Sequence, residues 1–355
     1  MMLDDVRALG RVDQHDTRRV LAEFPLQCRR ARELRAAPAI VIGRPRLVVM
    51  VGMGGSAAGA DLLATCAAET LEVPLLVHRG YGLPAAASRE ALVIASSYSG
   101  DTAEVVSAVE VALARRVPVA AITSGGALGA LAARHGLPCV TLPAGLMPRM
   151  ALGLLVFPAL GALAAAGVPV ATEADVDEAL EVVRAQAADL GPDTPTDKNE
   201  AKRLALAIGQ RLPVVYGGPL TGTVAYRWKT DLEENAKLLA VAGALPEMNH
   251  NEIEVWGGAR AHEMHAVLLR EDGELAEIGR RFALVRELLG PTAGGVSEAW
   301  ARGGSRFARL LSLVYLGQWV SYYAAMLRDT DPWPVPILTE VKRRLSAPEQ
   351  PRSSP

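Results

Sequence analysis

Several residue types that carry much of protein chemistry are scarce in this 355-residue sequence. It contains three cysteines, four asparagines and five lysines, and aromatic residues make up only 5% of the chain. The cysteines (Cys28, Cys66 and Cys139) have no paired spacing, which argues against a zinc site and a disulfide framework and suits a reducing compartment. Half of the residues are hydrophobic, so the shortage of aromatics predicts cores built from alanine, valine and leucine.

Charge and hydropathy argue against two classes of partner. The formal net charge is −2, so we expect no nucleic-acid partner. The first residues, MMLDDVRALG, lack a basic segment followed by an apolar run, so we expect no signal peptide and a cytoplasmic protein. Residues 150–172 carry no charge over a length that could cross a bilayer. Because Pro158 and Pro169 interrupt them, we interpret this stretch as a buried helix or subunit contact and expect no membrane partner.

Short apolar runs punctuate the first half of the chain. They lack alternation and end in small or turn residues, which is typical of strands covered on both faces of a parallel sheet. The runs are RLVVMVG (46–52), VPLLVH (73–78), ALVIASS (91–97), VPVAAIT (117–123) and LPCVTLP (137–143). Helix-length segments separate them, including 56–68 and 102–115. This pattern predicts a doubly wound α/β domain over 38–148.

A second α/β unit of similar size is predicted to follow. Its strand RLPVVYGG (211–218) ends in glycines, as the first strand of the first unit does, and HAVLLRED (265–272) is a further strand. Helices are predicted at 17–36, 150–190, 221–239, 274–289 and 305–328. The resulting organisation is a helical segment (1–37), the first domain (38–148), connecting helices and a linker (149–197), a second domain with a C-terminal helix (198–347) and a disordered tail (348–355).

Two loops of the first domain have the composition of an anion site. In VGMGGSAAG (51–59) and SSYSGDTAEV (96–105), glycines and hydroxyl residues stand between a strand and a helix. Backbone N–H groups at a helix start, together with hydroxyls, bind phosphate, and loops after neighbouring parallel strands lie side by side. We therefore predict a compact phosphate site. Its candidate residues are Gly54, Gly55, Ser56, Ser97, Ser99 and Thr102.

Two alternatives to the phosphate site remain open at this point. The hydroxyls of the second loop could simply cap the helix that follows. The first loop also fits a dinucleotide fingerprint, Gly52-x-Gly54-x-x-Ala57. That fingerprint calls for an acidic residue after the second strand, where this chain has His78-Arg79-Gly80.

Five segments resemble known sugar-phosphate proteins. GGS followed by SSYSGDT is similar to the sugar isomerase (SIS) domain, which binds phosphosugars. PRMA (148–151), ENAK (234–237) and PEMNHNE (246–252) resemble, in order, the bifunctional phosphoglucose/phosphomannose isomerases. Three of the four asparagines fall within residues 235–251. The resemblance spans both predicted domains and implies two SIS-type α/β domains and an aldose–ketose isomerase that acts on glucose 6-phosphate and mannose 6-phosphate.

The same resemblance assigns catalytic roles. It implies that Glu234 is the base that moves a proton between C2 and C1, and that Lys342 lies near the ring oxygen. His250 could open the sugar ring by carrying a proton, and Arg149 could stabilise an enediolate. The glycine- and proline-containing turn before His250 could bring a carboxylate and an imidazole into one pocket. No metal or other cofactor is expected.

The resemblance also implies a homodimer with shared active sites, in which His250 could serve the neighbour's Glu234. Trp333 falls near a position where the family commonly has a small or hydroxyl residue, which could affect the use of mannose 6-phosphate. Two alternative functions remain: a non-catalytic phosphosugar-binding module, and another sugar-phosphate isomerase on the same fold. A dehydrogenase is a third.

Overall fold

A computed structural model of the chain describes residues 2–345, so the predicted tail at 348–355 lies outside the described residues. Nine strands occur in this range: β1 Leu47–Val51, β2 Leu75–His78, β3 Ala91–Ser96, β4 Val119–Thr123, β5 Cys139–Thr141, β6 Leu212–Gly217, β7 Val241–Ala244, β8 Met264–Arg270 and β9 Gly295–Trp300. The α-helices are α1 Val6–Val12, α2 Thr17–Ala22, α3 Phe24–Arg32, α4 Gly54–Ala67, α5 Ala103–Arg115, α6 Gly126–His135, α7 Leu152–Ala165, α8 Glu173–Leu190, α9 Glu200–Ile208, α10 Gly222–Ala236, α11 Ala276–Leu289, α12 Arg306–Met326 and α13 Pro336–Leu345.

The first sheet is parallel, with strand order β2-β1-β3-β4-β5. Neighbouring residues of a strand face opposite sides, and in β1 both sides are buried. Met50 packs in the core that contains α4 and α7, whereas Val49 and Val51 pack against α5 and α6. Two-sided burial explains why these strands are continuously apolar.

The second sheet is also parallel, with order β7-β6-β8-β9. Its inner face carries Val215 and Val267, which join the same core as α7, α10 and α12. Its outer face carries Tyr216 and Leu268, which pack with α11 and with the segment after β7. A single core therefore joins the inner faces of both sheets, and the predicted α/β fold is confirmed.

The uncharged stretch lies inside the protein. Residues 152–160 of α7 are all buried, as predicted for a core helix. Among the described residues, no helix has both the length and the apolar character needed to cross a membrane.

Some elements differ from the sequence-based prediction. The helix predicted over 17–36 is two helices, because Pro25 stands in the first turn of α3 and cannot continue the helix before it. The strands β7 and β9 and the helix α9 were not predicted. β7 is the short sequence VAGA, and β9 carries polar Ser297 and Glu298. Neither edge strand has the long apolar run that marks a central strand.

Candidate active site

The two predicted anion loops meet at the carboxyl edge of the first sheet. β1 and β3 are adjacent and parallel, so the starts of α4 and α5 lie side by side at the point where the strand order reverses. The backbone N–H of Tyr98, in the second loop, donates a 3.4 Å hydrogen bond to Ser56 Oγ in the first. Neither helix start is capped by a side chain, since Met53 and Thr102 make no capping hydrogen bond. The first N–H groups of both helices can therefore serve a ligand.

The second loop folds around its own hydroxyl groups. Ser97 Oγ accepts a 3.1 Å hydrogen bond from the Gly100 N–H and shares a 2.8 Å hydrogen bond with Thr102 Oγ1. Ser99 is exposed, and its Oγ accepts a long 3.4 Å bond from the Asp101 N–H. The simple capping alternative does not describe Thr102, because its hydroxyl bonds to Ser97 and not to its own helix.

Glycine is required where this loop meets its neighbour. Gly100 has φ +81, and a Cβ there would stand 1.8 Å from the carbonyl oxygen of Gly125. A side chain would therefore force the two loops apart.

A second close approach links the first loop to the predicted catalytic arginine. A Cβ on Gly55 would lie 2.8 Å from the carbonyl oxygen of Pro148 and 3.2 Å from the Cα of Arg149. The start of α4 thus packs directly on the 3₁₀ turn Pro148–Met150. Gly55, one of the predicted phosphate residues, therefore touches the backbone of a predicted catalytic residue.

The Arg149 side chain is buried and held on two sides. Nε donates to Asn235 Oδ1 at 2.7 Å, and Nη2 donates to the carbonyls of Pro332 and Trp333 at 2.8 and 2.7 Å. Burial lowers the pKa of the guanidinium, and the charge of Glu234 opposes that shift. Within residues 2–345, the remaining nitrogen, Nη1, faces only the Glu234 carboxylate, at 3.5 Å.

Glu234 lies in the last full turn of α10, and 27% of its side chain is exposed. A carboxylate at a helix C-terminus is disfavoured by the helix dipole, so cations near it are significant. Arg149 is one of them. Lys237 ends the helix in the left-handed conformation, and its Nζ donates to the Glu234 carbonyl oxygen at 2.8 Å. The carboxylate is therefore accessible and flanked by positive charge.

His250 does not join Glu234 within one chain. It lies in the 3₁₀ turn Glu247–His250, whose Met248 is buried with α11 on the outer face of the second sheet. Glu234 belongs to α10, whose Leu232 is buried on the inner face. His250 is exposed and, in the part of the chain that the structure describes, has no hydrogen-bond partner. The single pocket predicted for this carboxylate and imidazole is not formed by one subunit.

Lys342 and Trp333 were expected near the sugar, and the single chain presents their side chains differently. Lys342 lies on α13, a helix with no buried residue, and none of the described residues contacts its ammonium. The Trp333 carbonyl meets Arg149, while its ring stacks on His15 with centroids 6.3 Å apart. It is thus the backbone of Trp333 that contacts a predicted catalytic residue.

Two charged residues of this region were not predicted as part of the site. Arg227 and Asp231 are buried on α10 and form a 2.7 Å ion pair. Burial raises the pKa of the Asp231 carboxyl to about 6. A signal for them exists in the sequence, since Arg227, Asp231 and Asn235 recur every four residues on a face that also carries Trp228. Asn249, which lies in the segment PEMNHNE (246–252), accepts a 3.3 Å hydrogen bond from Arg281.

Comparison with known proteins places this geometry in a family. Residues 197–345 match the family model for the bacterial phospho-glucose isomerase C-terminal SIS domain, and residues 42–135 match that for the SIS domain. A bifunctional phosphoglucose/phosphomannose isomerase of Caldicellulosiruptor bescii is 37% identical over 84% of this chain and 89% of its own. Its counterpart in Thermoplasma volcanium is 30% identical over 88% of this chain and 96% of its own. This chain belongs to the bifunctional phosphoglucose/phosphomannose isomerase family.

The family resemblance drawn from the five sequence segments is therefore confirmed. The fold agrees with it. The crystal structure of a glucose-6-phosphate isomerase like protein from Thermus thermophilus covers 96% of this chain and 98% of its own, with a TM-score of 0.64 and 21% identity. The two family models cover residues 42–135 and 197–345, which include the loops after β1 and β3 and α10.

Proposed function

We propose that this protein interconverts glucose 6-phosphate and mannose 6-phosphate with fructose 6-phosphate. The observation that carries the proposal is the position of Arg149. Its backbone packs on the glycine loop that would bind phosphate, and its guanidinium stands 3.5 Å from the Glu234 carboxylate. A phosphate-binding loop, a cation and a base are thus adjacent. A phosphosugar isomerase can use these three groups to anchor the phosphate, stabilise the oxyanion and move the proton.

In the proposed mechanism the loops hold the phosphate. The uncapped starts of α4 and α5 supply N–H groups and the positive end of the helix dipole. Ser56, Ser97, Ser99 and Thr102 supply hydroxyls. In the first loop, residues 54–56 are Gly-Gly-Ser. Because none of them has a bulky side chain, a phosphate can approach the backbone closely. This anchor fixes the far end of the sugar.

Glu234 would then act on the open-chain sugar. It removes the proton from C2 of the aldose while the C1 carbonyl oxygen gains negative charge, which gives a cis-enediol after protonation. The same carboxyl returns the proton to C1, and O2 releases its hydroxyl proton as C2 becomes the ketone carbonyl, which balances the proton gained by O1. Arg149 Nη1, which the described residues leave facing only Glu234, would stabilise the developing oxyanion. The reaction conserves all atoms and needs no cofactor.

Ring opening would be assigned to a second subunit. The His250 imidazole can both accept and donate a proton, so it can carry one between O1 and O5. Because it lies across the second sheet from Glu234 of its own chain, we propose a homodimer in which His250 completes the neighbour's site. The proposed place for Lys342 near the ring oxygen would likewise need α13 to be covered by another element, since the helix is exposed in the single chain.

The compartment and the pathway are proposed from the substrates. We propose a cytoplasmic enzyme of carbohydrate metabolism, at the step that glycolysis and gluconeogenesis share. The two sheets would correspond to SIS domains over 38–148 and 198–347, joined by the connecting helices of 149–197.

A coupled assay tests the proposed activity. Purified protein is given glucose 6-phosphate or mannose 6-phosphate, and fructose 6-phosphate is measured. We expect product from both aldoses. Absence of product from both would reject the isomerase in favour of a binding module, and conversion of amino-sugar phosphates alone would favour another isomerase on this fold.

Removal of one exposed hydroxyl tests the phosphate site. Ser99→Ala should raise KM for glucose 6-phosphate about tenfold and leave kcat nearly unchanged, because one hydrogen bond to a charged group is lost. The fold should tolerate the change, since among residues 2–345 the only bond that Ser99 Oγ accepts is the 3.4 Å one from the Asp101 N–H.

Ser88→Ala is a matched control for this experiment. Ser88 is an exposed serine whose Oγ accepts a 3.3 Å bond from the Glu90 N–H, and it precedes β3 at the opposite edge of the sheet. Equal KM values for the two variants would place the phosphate elsewhere.

A further inference from the structure

The buried ion pair of α10 has no evident structural purpose. The Arg227 and Asp231 side chains are 3% and 2% exposed and are joined at 2.7 Å. Within the described residues, Arg227 Nε and Asp231 Oδ2 have no hydrogen-bond partner. A buried pair of this kind is often no more stable than apolar residues in its place. Its presence beside Glu234 therefore calls for another explanation.

The pair is connected to the catalytic arginine through the main chain. Arg227 Nη2 bonds to Asp231 and also donates a 2.7 Å hydrogen bond to the carbonyl oxygen of Arg149. The Arg149 guanidinium is held separately, by Asn235 and by two carbonyls after α12. Arg149 is thus held both at its main chain and at its guanidinium. Arg227 makes the hydrogen bond that holds the main chain.

Asp231 keeps Arg227 in this position. An arginine without an anionic partner would not be held between the carboxylate and the Arg149 carbonyl. The charges that act on Asp231 are those of Arg227 and Glu234 on its own helix and of Arg149 on the neighbouring turn. The single charged residue of α4, Asp61, pairs instead with Arg79, and β6 and β7 carry no charged residue.

The facing helix α12 directs its three tyrosine hydroxyls elsewhere, to Leu21, Asp13 and Leu190, and its two arginines pair with Glu69 and Glu271. It presents Ser321, whose Oγ accepts from Asn235 at 2.9 Å. Burial raises the pKa of Asp231 to about 6, while Arg227 opposes the shift and Glu234 adds to it. The carboxyl can therefore change its charge within the working range of an enzyme.

We propose that Arg227 and Asp231 are positioning residues of the isomerase, which hold the Arg149 main chain so that Nη1 stays aligned with Glu234 and the substrate oxygen. This inference rests on the proposed function, because the pair has something to position only if Arg149 and Glu234 act on substrate. Arg227 and Asp231 themselves do not contact the substrate in this proposal. Its effect should fall on turnover and not on phosphate binding.

The test compares Asp231→Asn with the wild-type enzyme across pH. At about pH 8, the variant should lose about tenfold in kcat with KM within about twofold, because misalignment of a reacting group lowers turnover. The ratio of the two kcat values should fall to about three at pH 5.5 and about two at pH 5, because the wild-type carboxyl is then largely protonated and resembles the amide. A loss caused by damaged folding would not shrink in this way. A ratio that stays constant with pH would overturn the proposal.

Arg227→Lys provides an independent test if Asp231→Asn does not fold. Its ammonium keeps a positive charge for Asp231, but the shorter side chain ends before the position of Nη2, the atom that bonds both Asp231 and the Arg149 carbonyl oxygen. We expect a drop in kcat with KM preserved, and unchanged kcat would overturn the proposal.

Glu233→Gln is the matched control for both variants. It breaks the ion pair between Glu233 and Lys229, which has the same helical spacing but is about 30% exposed. We expect wild-type kcat at every pH. If the wild-type protein itself shows no isomerase activity, the proposed function fails; if it is active and the pH ratio is flat, only this inference fails.

Discussion

Glu234→Gln is expected to abolish nearly all turnover while sugar-phosphate binding persists. The amide has the size of the carboxylate and can still face Arg149, but it cannot accept the C2 proton. Loss of a positioned base lowers kcat by about 10²–10⁴-fold. Steady-state kinetics with glucose 6-phosphate should show this loss, and binding of fructose 6-phosphate by calorimetry should remain close to that of the wild type.

The neighbouring Glu233 serves as the control for this variant. Glu233→Gln removes a carboxylate one residue away, but that side chain pairs with Lys229 at 2.6 Å and does not contact Arg149. It should retain wild-type kcat. If Glu234→Gln turned over substrate at the wild-type rate, Glu234 would not be the base and the proposed mechanism would be wrong.

A hybrid dimer should recover activity from two inactive chains. Glu234→Gln and His250→Ala are each expected to inactivate a homodimer, because every shared site then lacks one of its groups. When the two chains are expressed together with different tags and the hybrid is purified on both, one site has both groups intact and the other has neither. About half of the wild-type activity should return, as symmetry requires for one of two sites.

A second hybrid separates this result from nonspecific rescue. Arg149 lies 3.5 Å from Glu234 of the same chain, so Glu234→Gln combined with Arg149→Met leaves each site with one defect. That hybrid should stay inactive. An inactive Glu234→Gln/His250→Ala hybrid, or failure of the two tags to co-purify, would contradict the shared site.

Much of the local structure could be predicted from sequence. Each strand predicted in the first half is present, because runs buried on both faces are continuously apolar. The loops after β1 and β3 were located by their glycine and hydroxyl residues, which favour turns and helix starts. The edge strand β7 was missed because its four small residues carry no strong local signal.

The sequence by itself determined the α/β pattern, the two loops and the family membership carried by its motifs. Tertiary structure alone decided which of the candidate residues meet. It brought Arg149 to Glu234, buried Asp231 beside Arg227, and placed His250 on the far side of a sheet from Glu234 of its own chain. Periodicity reports which face of a helix or strand is buried, but contacts between distant segments arise from the packing of the whole core.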